Sequence, residues 1–234
     1  MAQHKGYGQF CPVSRAAEVL AERWTPLVVR ELLCGSVRFN DLQRGVPRMS
    51  PTLLSKRLKE LEHCGILERK SAGTGRGWEY HLTRAGRELR PIVESMGVWA
   101  QRWFRNDLTQ EANLDPDLLM WDIRRHVTPE AIQAGRRLVV RFEFAGVPAN
   151  RRRYWLVFDR AEADLCIRDP GFKVDLFVSA HVRDLVQVWI GHLALREAIR
   201  LKKVKLEGAR RDVKAFSAWF ALSPLAEAGL EAGA

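Results

Sequence analysis

The chain has 234 residues, with 38 Lys and Arg against 28 Asp and Glu, for a formal net charge of +10. That length favours two compact units, each able to bury its own core, and 47% hydrophobic with 28% charged residues excludes a disordered or fibrous chain. No apolar run nears the roughly 20 residues that cross a bilayer, no signal sequence stands at the N-terminus, and Cys11, Cys34, Cys64 and Cys166 lack CxxC spacing, so the expectation is a cytoplasmic protein with reduced thiols and no membrane insertion.

Pro12 opens a first helix through Ala16, Ala17, Val19 and Leu20. Thr25 and Pro26 offer an N-cap and a first-turn proline for a second, through Leu27, Val28, Leu32 and Leu33, stopped at Gly35. Arg38-Phe39-Asn40-Asp41-Leu42 predicts a brief third helix capped by Asn40 or a neighbour and ending near Gly45 and Pro47. Ser50-Pro51 starts the best-defined helix: Leu54, Leu58 and Leu61 recur at i, i+4 and i+7, while Thr52, Ser55, Lys56 and Lys59 gather on the opposite side.

After Gly65, Leu67 to Lys70 and the alternating Trp78, Tyr80 and Leu82 predict a hairpin whose tip, Ser71 to Gly77, is rich in glycine. Thr83 can cap a further helix with one long apolar stripe of Leu89, Ile92, Val93, Met96, Trp99, Ala100 and Trp103, kinked at Pro91. Polar residues from Asn106 to Asp117 break the pattern and place a boundary between domains at 1–105 and 117–234. The second domain reads as a helix at Leu118–His126, strands at Leu138–Phe144, Tyr154–Phe158, Asp164–Ile167, Val174–Val178 and Val204–Leu206, and helices at Val182–Ile190, Leu195–Leu201 and Val213–Phe220. The fold class is α+β.

Short helices, then a capped helix with a basic outer face and a basic hairpin, form the outline of a winged helix-turn-helix that reads double-stranded DNA. Residues 1–105 hold 18 basic against 10 acidic side chains and residues 106–234 hold 20 against 18, so the excess charge lies in the half that carries this pattern. Ser50, Thr52, Ser55 and Lys56 are placed to reach base edges or flanking phosphates, and Arg48, Arg57 and Lys59 to contact phosphates. Arg69, Lys70, Thr74 and Arg76 surround the hairpin tip, where small residues admit the sugar-phosphate backbone or the minor groove. The competing reading of each charge is solvated surface.

Cys11-Pro12-Val13, Trp24-Thr25, Leu32-Leu33, Gly35, Arg38-Phe39-Asn40-Asp41-Leu42, Ser50-Pro51 and Leu53-Leu54-Ser55-Lys56-Arg57-Leu58 stand in order. With Glu60-Leu61, Gly65-Ile66-Leu67-Glu68-Arg69, Tyr80, Leu82-Thr83, Gly86, Leu89 and Trp99, this stretch resembles the HxlR family of winged helix-turn-helix transcriptional regulators to about residue 105. The resemblance implies a homodimer whose terminal helices pack across a two-fold axis, with Met96, Trp99 and Trp103 at the interface; an intradomain core helix is the alternative. It also matches Cys11 to the cysteine that some members use to sense oxidants or electrophiles, against which stands a half-buried packing role.

Val186-Gln187-Val188-Trp189-Ile190-Gly191, then Ala198-Ile199-Arg200 and Val204-Lys205-Leu206-Glu207-Gly208, resemble the sterol-carrier-protein-2-like fold, a curved sheet with helices over an apolar cavity. That resemblance implies a small hydrophobic ligand, with Phe142, Phe144, Trp155, Phe158, Phe177, Trp189 and Trp219 as lining candidates; ordinary core packing is the alternative for each. No GxSxG, HExxH, Walker or dinucleotide motif and no metal-ligand spacing occurs, so no enzyme activity, cofactor or metal is expected.

Overall fold

A computed structural model of the chain describes residues 6–73, 77–128, 136–159 and 162–231. The chain divides into two compact units, Met1–Met96 and Gly97–Ala234. The division falls inside a helix, ahead of the polar stretch at Asn106–Asp117 where the sequence placed it. The reason is local to the second unit: Gln101 is buried and its amide nitrogen donates to the carbonyls of Ile190 (2.9 Å) and Leu225 (3.3 Å).

In the first unit the elements are α1 (Pro12–Leu20), α2 (Thr25–Leu33), α3 (Phe39–Gly45), α4 (Pro51–His63), β1 (Leu67–Ser71), β2 (Trp78–Leu82), α5 (Arg84–Arg87) and the start of α6 (Arg90–Trp103). Val28, Val29, Leu42, Val46, Met49, Leu54, Leu58, Leu61, Leu67 and Leu82 form its core, so the leucine row of α4 packs inward as its spacing demands. Thr25 is not the cap of α2. Trp24 occupies that position in the left-handed region (φ 78°), while Thr25 is the buried first helical residue. Nor is Pro91 a kink: Thr83 caps only the four-residue α5, and Pro91 is the second residue of a separate helix, where its missing N–H costs nothing.

The second unit carries α7 (Arg105–Leu108), α8 (Pro116–His126), β3 (Leu138–Ala145), β4 (Arg153–Asp159), β5 (Glu162–Cys166), β6 (Leu176–His181), α9 (Val182–Trp189), α10 (Leu195–Arg200), β7 (Val204–Gly208), α11 (Arg210–Trp219) and α12 (Ala226–Glu231). Its strands form one mixed sheet in the order β5-β4-β3-β6-β7, in which only β3 and β6 run parallel. Val140, Phe142 and Phe144 of β3, Tyr154, Leu156 and Phe158 of β4, and Val178 and Ala180 of β6 share a core with Met120, Leu185, Val188, Phe216 and Trp219 from α8, α9 and α11.

This packing corrects the set of ligand-lining candidates. Phe142, Phe144, Phe158, Trp189 and Trp219 belong to that one core, where Phe158 of the sheet meets Trp219 of α11 at 4.9 Å and Phe144 meets Tyr154 of the next strand at 5.8 Å. Trp155 and Phe177 lie on the other face, because both pair across the sheet with Arg141, whose side chain points away from Phe142. Trp155 is buried there with Val139 and Val157, and Phe177 is 37% exposed. The seven aromatics therefore do not surround one cavity.

Candidate nucleic-acid interface

Ser50 sets the start of α4: it is extended at φ −68° and ψ 146°, and its Oγ accepts from the Leu53 N–H at 3.3 Å. The turn between α3 and α4 is braced from inside. Gln43 Nε2 donates to the carbonyls of Val46 (3.2 Å) and Met49 (2.7 Å), whose side chains are buried. Behind it, the buried Glu31 of α2 accepts from Arg30 Nη2 at 2.5 Å, and the same guanidinium nitrogen reaches the Gly45 carbonyl at 3.2 Å. These braces fix the angle at which α4 leaves the turn. The sequence reading missed both, since the Gln43 and Glu31 contacts depend on side chains meeting a backbone path that no periodicity encodes.

The outward face of α4 gathers the expected polar set. Thr52, Ser55, Lys56 and Lys59, with Pro51 and Glu60, line one shallow surface depression. Lys56 lies 3.8 Å from Glu60 but is two-thirds exposed, and Lys59 is exposed with no acidic partner among the described residues. Arg48 and Ser50 are exposed at the N-terminal end, where the helix dipole favours a phosphate.

Arg57 departs from its expected role as a phosphate contact. Its side chain is only 10% exposed; Nη2 is 2.6 Å from Glu22, Nη1 is paired with Glu60, and Nε donates to the Arg23 carbonyl at 3.3 Å. A guanidinium held between two carboxylates ties α4 to the segment before α2 and has no free face for a nucleic acid.

β1 and β2 pair in the register Leu67↔Leu82 to Ser71↔Trp78, and a single bridge between Arg38 and Glu79 joins the hairpin to the residue ahead of α3. The Tyr80 N–H donates to the Val37 carbonyl at 2.8 Å, so the hairpin is anchored to the base of the helix-turn-helix. Thr83 secures its far end: Oγ1 donates to the Gly65 carbonyl (2.7 Å) and accepts from the Gly86 N–H (3.2 Å). Arg69 stacks over Trp78 at 4.3 Å, a diagonal cross-strand pair that the register makes legible. Lys70 lies 2.7 Å from Glu68 and holds that carboxyl below its ordinary range. Thr74 and Arg76, expected at the tip, lie outside the described residues.

The stripe expected along the helix after Thr83 separates into two faces. Ile92, Met96, Trp99 and Trp103 are exposed, the last two by 56% and 72%, and Trp99 meets Phe104 at 5.1 Å. On the other side, Val93 packs against the first unit's core, whereas Gly97 lies against Leu225 and Gln101 is buried in the second unit. Cys11 is partly exposed at the cap position of α1, where its side chain makes no capping bond.

The HxlR-like helix-turn-helix model matches residues 19–108, from α1 to the end of α7. YvaP of Bacillus subtilis, an HTH-type transcriptional regulator, is 39% identical over 97 residues, 41% of this chain and 90% of its own length. The HTH-type regulator Rv3095 of Mycobacterium tuberculosis is 39% identical over 94 residues, covering 39% of this chain and 58% of its own. The solved reduced form of the regulator YodB from B. subtilis aligns at 33% identity over 41% of this chain and 95% of that one, with a TM-score of 0.36. Helix-turn-helix, braced turn and anchored hairpin coincide with the matched residues, and the chain belongs to the HxlR-like helix-turn-helix family of DNA-binding transcriptional regulators.

Proposed function

We propose that the protein binds a specific double-stranded DNA site as a homodimer, reading bases with the exposed face of α4 and gripping phosphates with the flanking cations. The observation that carries this reading is the single surface on α4 where Thr52, Ser55, Lys56 and Lys59 stand together. Ser50 and Arg48 extend it at the helix N-terminus, and Arg69, Lys70, Thr74 and Arg76 supply the hairpin's share. Lys59→Ala should weaken binding to all duplexes alike and lower the dependence of log affinity on log salt by about 1. Unchanged binding at every salt concentration would remove α4 from the interface.

Homodimerisation is supported by α6, along which Met96, Trp99 and Trp103 recur at helical spacing and are exposed. Changing Trp99 and Trp103 together to Glu should convert a dimer into a monomer in sedimentation, with a cooperative unfolding transition retained. A dimer surviving that change would place the interface elsewhere.

For the second unit the proposed architecture is sterol-carrier-protein-2-like, supported by the mixed sheet and the order α9, α10, β7, α11. The close packing of Phe142, Phe144, Phe158 and Trp219 favours a structural role for these rings over contact with an apolar ligand. A thiol-based response through Cys11 is the second reading, favoured by its partial exposure at the start of α1. Cys11→Ser should then abolish any effect of oxidant on DNA binding; an oxidant response that persists would exclude it.

A further inference from the structure

The outer face of the second unit's sheet holds a feature that DNA reading does not use. At the C-terminal ends of the parallel strands β3 and β6 an open cleft of about 670 Å³ has Glu143, Arg152, Ser179, Lys202, Lys203 and Lys205 among its lining residues. The register places Lys205 beside Ser179 and Ser179 beside Glu143, so these side chains cross three strands in one row.

Its charges do not cancel. Glu143 is held by Arg141 (2.5 Å) and Arg153 (3.6 Å), and Asp184 by Lys203 (3.2 Å). Arg152, Lys202 and Lys205 are exposed on the cleft and have no carboxylate partner among the described residues. This concentration of cations belongs to a half of the chain whose excess charge is small.

The backbone adds an independent observation. Lys202 ends α10 with φ 57°, in the left-handed region, at the position after a helix where glycine is the unstrained choice. Its N–H donates to the Ile199 carbonyl and that of Lys203 to Ala198, so the turn is a regular helix stop that carries a strained lysine. Strain of this kind is held in place by the surrounding structure and concentrates at ligand clamps and other functional sites. In the same cleft, Gly146 (φ 78°) lies so close to the His181 ring that a Cβ would clash with Nε2. His181 Nδ1 accepts from the Arg183 N–H at 3.2 Å.

We infer that this cleft binds a multiply charged small anion, of the phosphate-ester or pyrophosphate type, through Arg152, Lys202 and Lys205. One carboxylate would need one cation; three uncompensated cations around an open cleft suit an anion that carries several charges and many acceptor oxygens.

The test is calorimetric titration of the full-length protein, without DNA, with inorganic pyrophosphate and inorganic phosphate at constant ionic strength. The expected result is saturable binding, tighter for pyrophosphate, weakened about fivefold by each of Arg152→Gln, Lys205→Gln and Lys202→Gly. Lys202→Gly should also raise the Tm of the unliganded protein, because it relieves the left-handed lysine. No saturable binding, or equal binding by a variant that combines all three changes, overturns the proposal. It is overturned as well if the variants leave pyrophosphate binding intact in this titration and, in a separate duplex-binding assay, lose only affinity for DNA, which would make the cleft part of the nucleic-acid surface. Because the titration contains no DNA, failure here leaves the α4 interface untouched, and failure of that interface leaves this site standing.

Discussion

Arg57 and Lys56 are neighbours on α4 with opposite roles, and the difference is set by what surrounds each side chain. Lys56 extends into solvent, whereas Arg57 turns inward between Glu22 and Glu60. Arg57→Ala would leave two carboxylates facing each other. It should lower stability by about 2 kcal/mol, between the cost of breaking a buried pair and that of losing an exposed one, as read by urea unfolding. Lys56→Ala should leave stability within about 0.5 kcal/mol and act on DNA binding alone. The sequence could not separate them, because Glu22 is 35 positions away and spacing within α4 says nothing of it. His192 carries a prediction of another kind. Burial, with Arg105 nearby, lowers its pKa from 6.5 to about 4, while Nε2 lies 2.7 Å from Gln101 Oε1. Between those two values the unfolded chain binds the proton that the native state refuses, so stability falls as pH drops through that window and this contribution levels off below it. His192→Gln should flatten the acid limb of a Tm–pH profile between about pH 6.5 and 4. An unchanged limb would assign it to other groups.

At the scale of elements, the most legible one was α4, since a serine cap, a first-turn proline and leucines at helical spacing all agree. The hairpin was legible for the same reason, with alternating strands around a glycine-rich tip. α6 was not: apolar residues recur along it, but they serve two faces, and periodicity cannot tell an apolar side chain that meets a core from one that meets solvent or a partner. The sheet was readable strand by strand and not as a whole. Which face of β3 meets the helices, and that β3 lies beside β6, depend on pairings between residues far apart in the chain. The short α5 shows how a local rule becomes a tertiary one. A Cβ on Gly86 would come within 2.1 Å of the Ile66 carbonyl oxygen, so the helix rests directly on the strand entry that the hairpin needs. Gly86→Ala should cost about 2 kcal/mol or more in denaturant unfolding, and should disturb the hairpin's anchorage before it disturbs α4. A substitution without effect on stability would mean that the contact yields freely.

For the molecule as a whole, the two units differ in where their charged and apolar side chains lie. The first concentrates basic charge on α4 and its hairpin, behind a turn braced by Gln43 and Glu31. The second buries most of its aromatic rings and brings Arg152, Lys202 and Lys205 together at one end of the sheet. The sequence conveyed the first arrangement well, because charge, capping and leucine spacing are local signals. It conveyed the second poorly, because a cleft made by β3, β6, β7 and the loops around Gly146 and Lys202 exists only once the sheet is assembled. DNA reading by α4 is open to one decisive measurement, binding of the purified protein to its own upstream region and to random duplex across about 50–200 mM salt. Lys56→Ala, Arg76→Ala and Arg57→Met should be run alongside. The expected result is preference for the upstream region, weaker binding and a salt slope lower by about 1 for Lys56→Ala and Arg76→Ala, and an unchanged slope for folded Arg57→Met. Equal affinity for both duplexes, with a slope that none of the three changes alters, would contradict it.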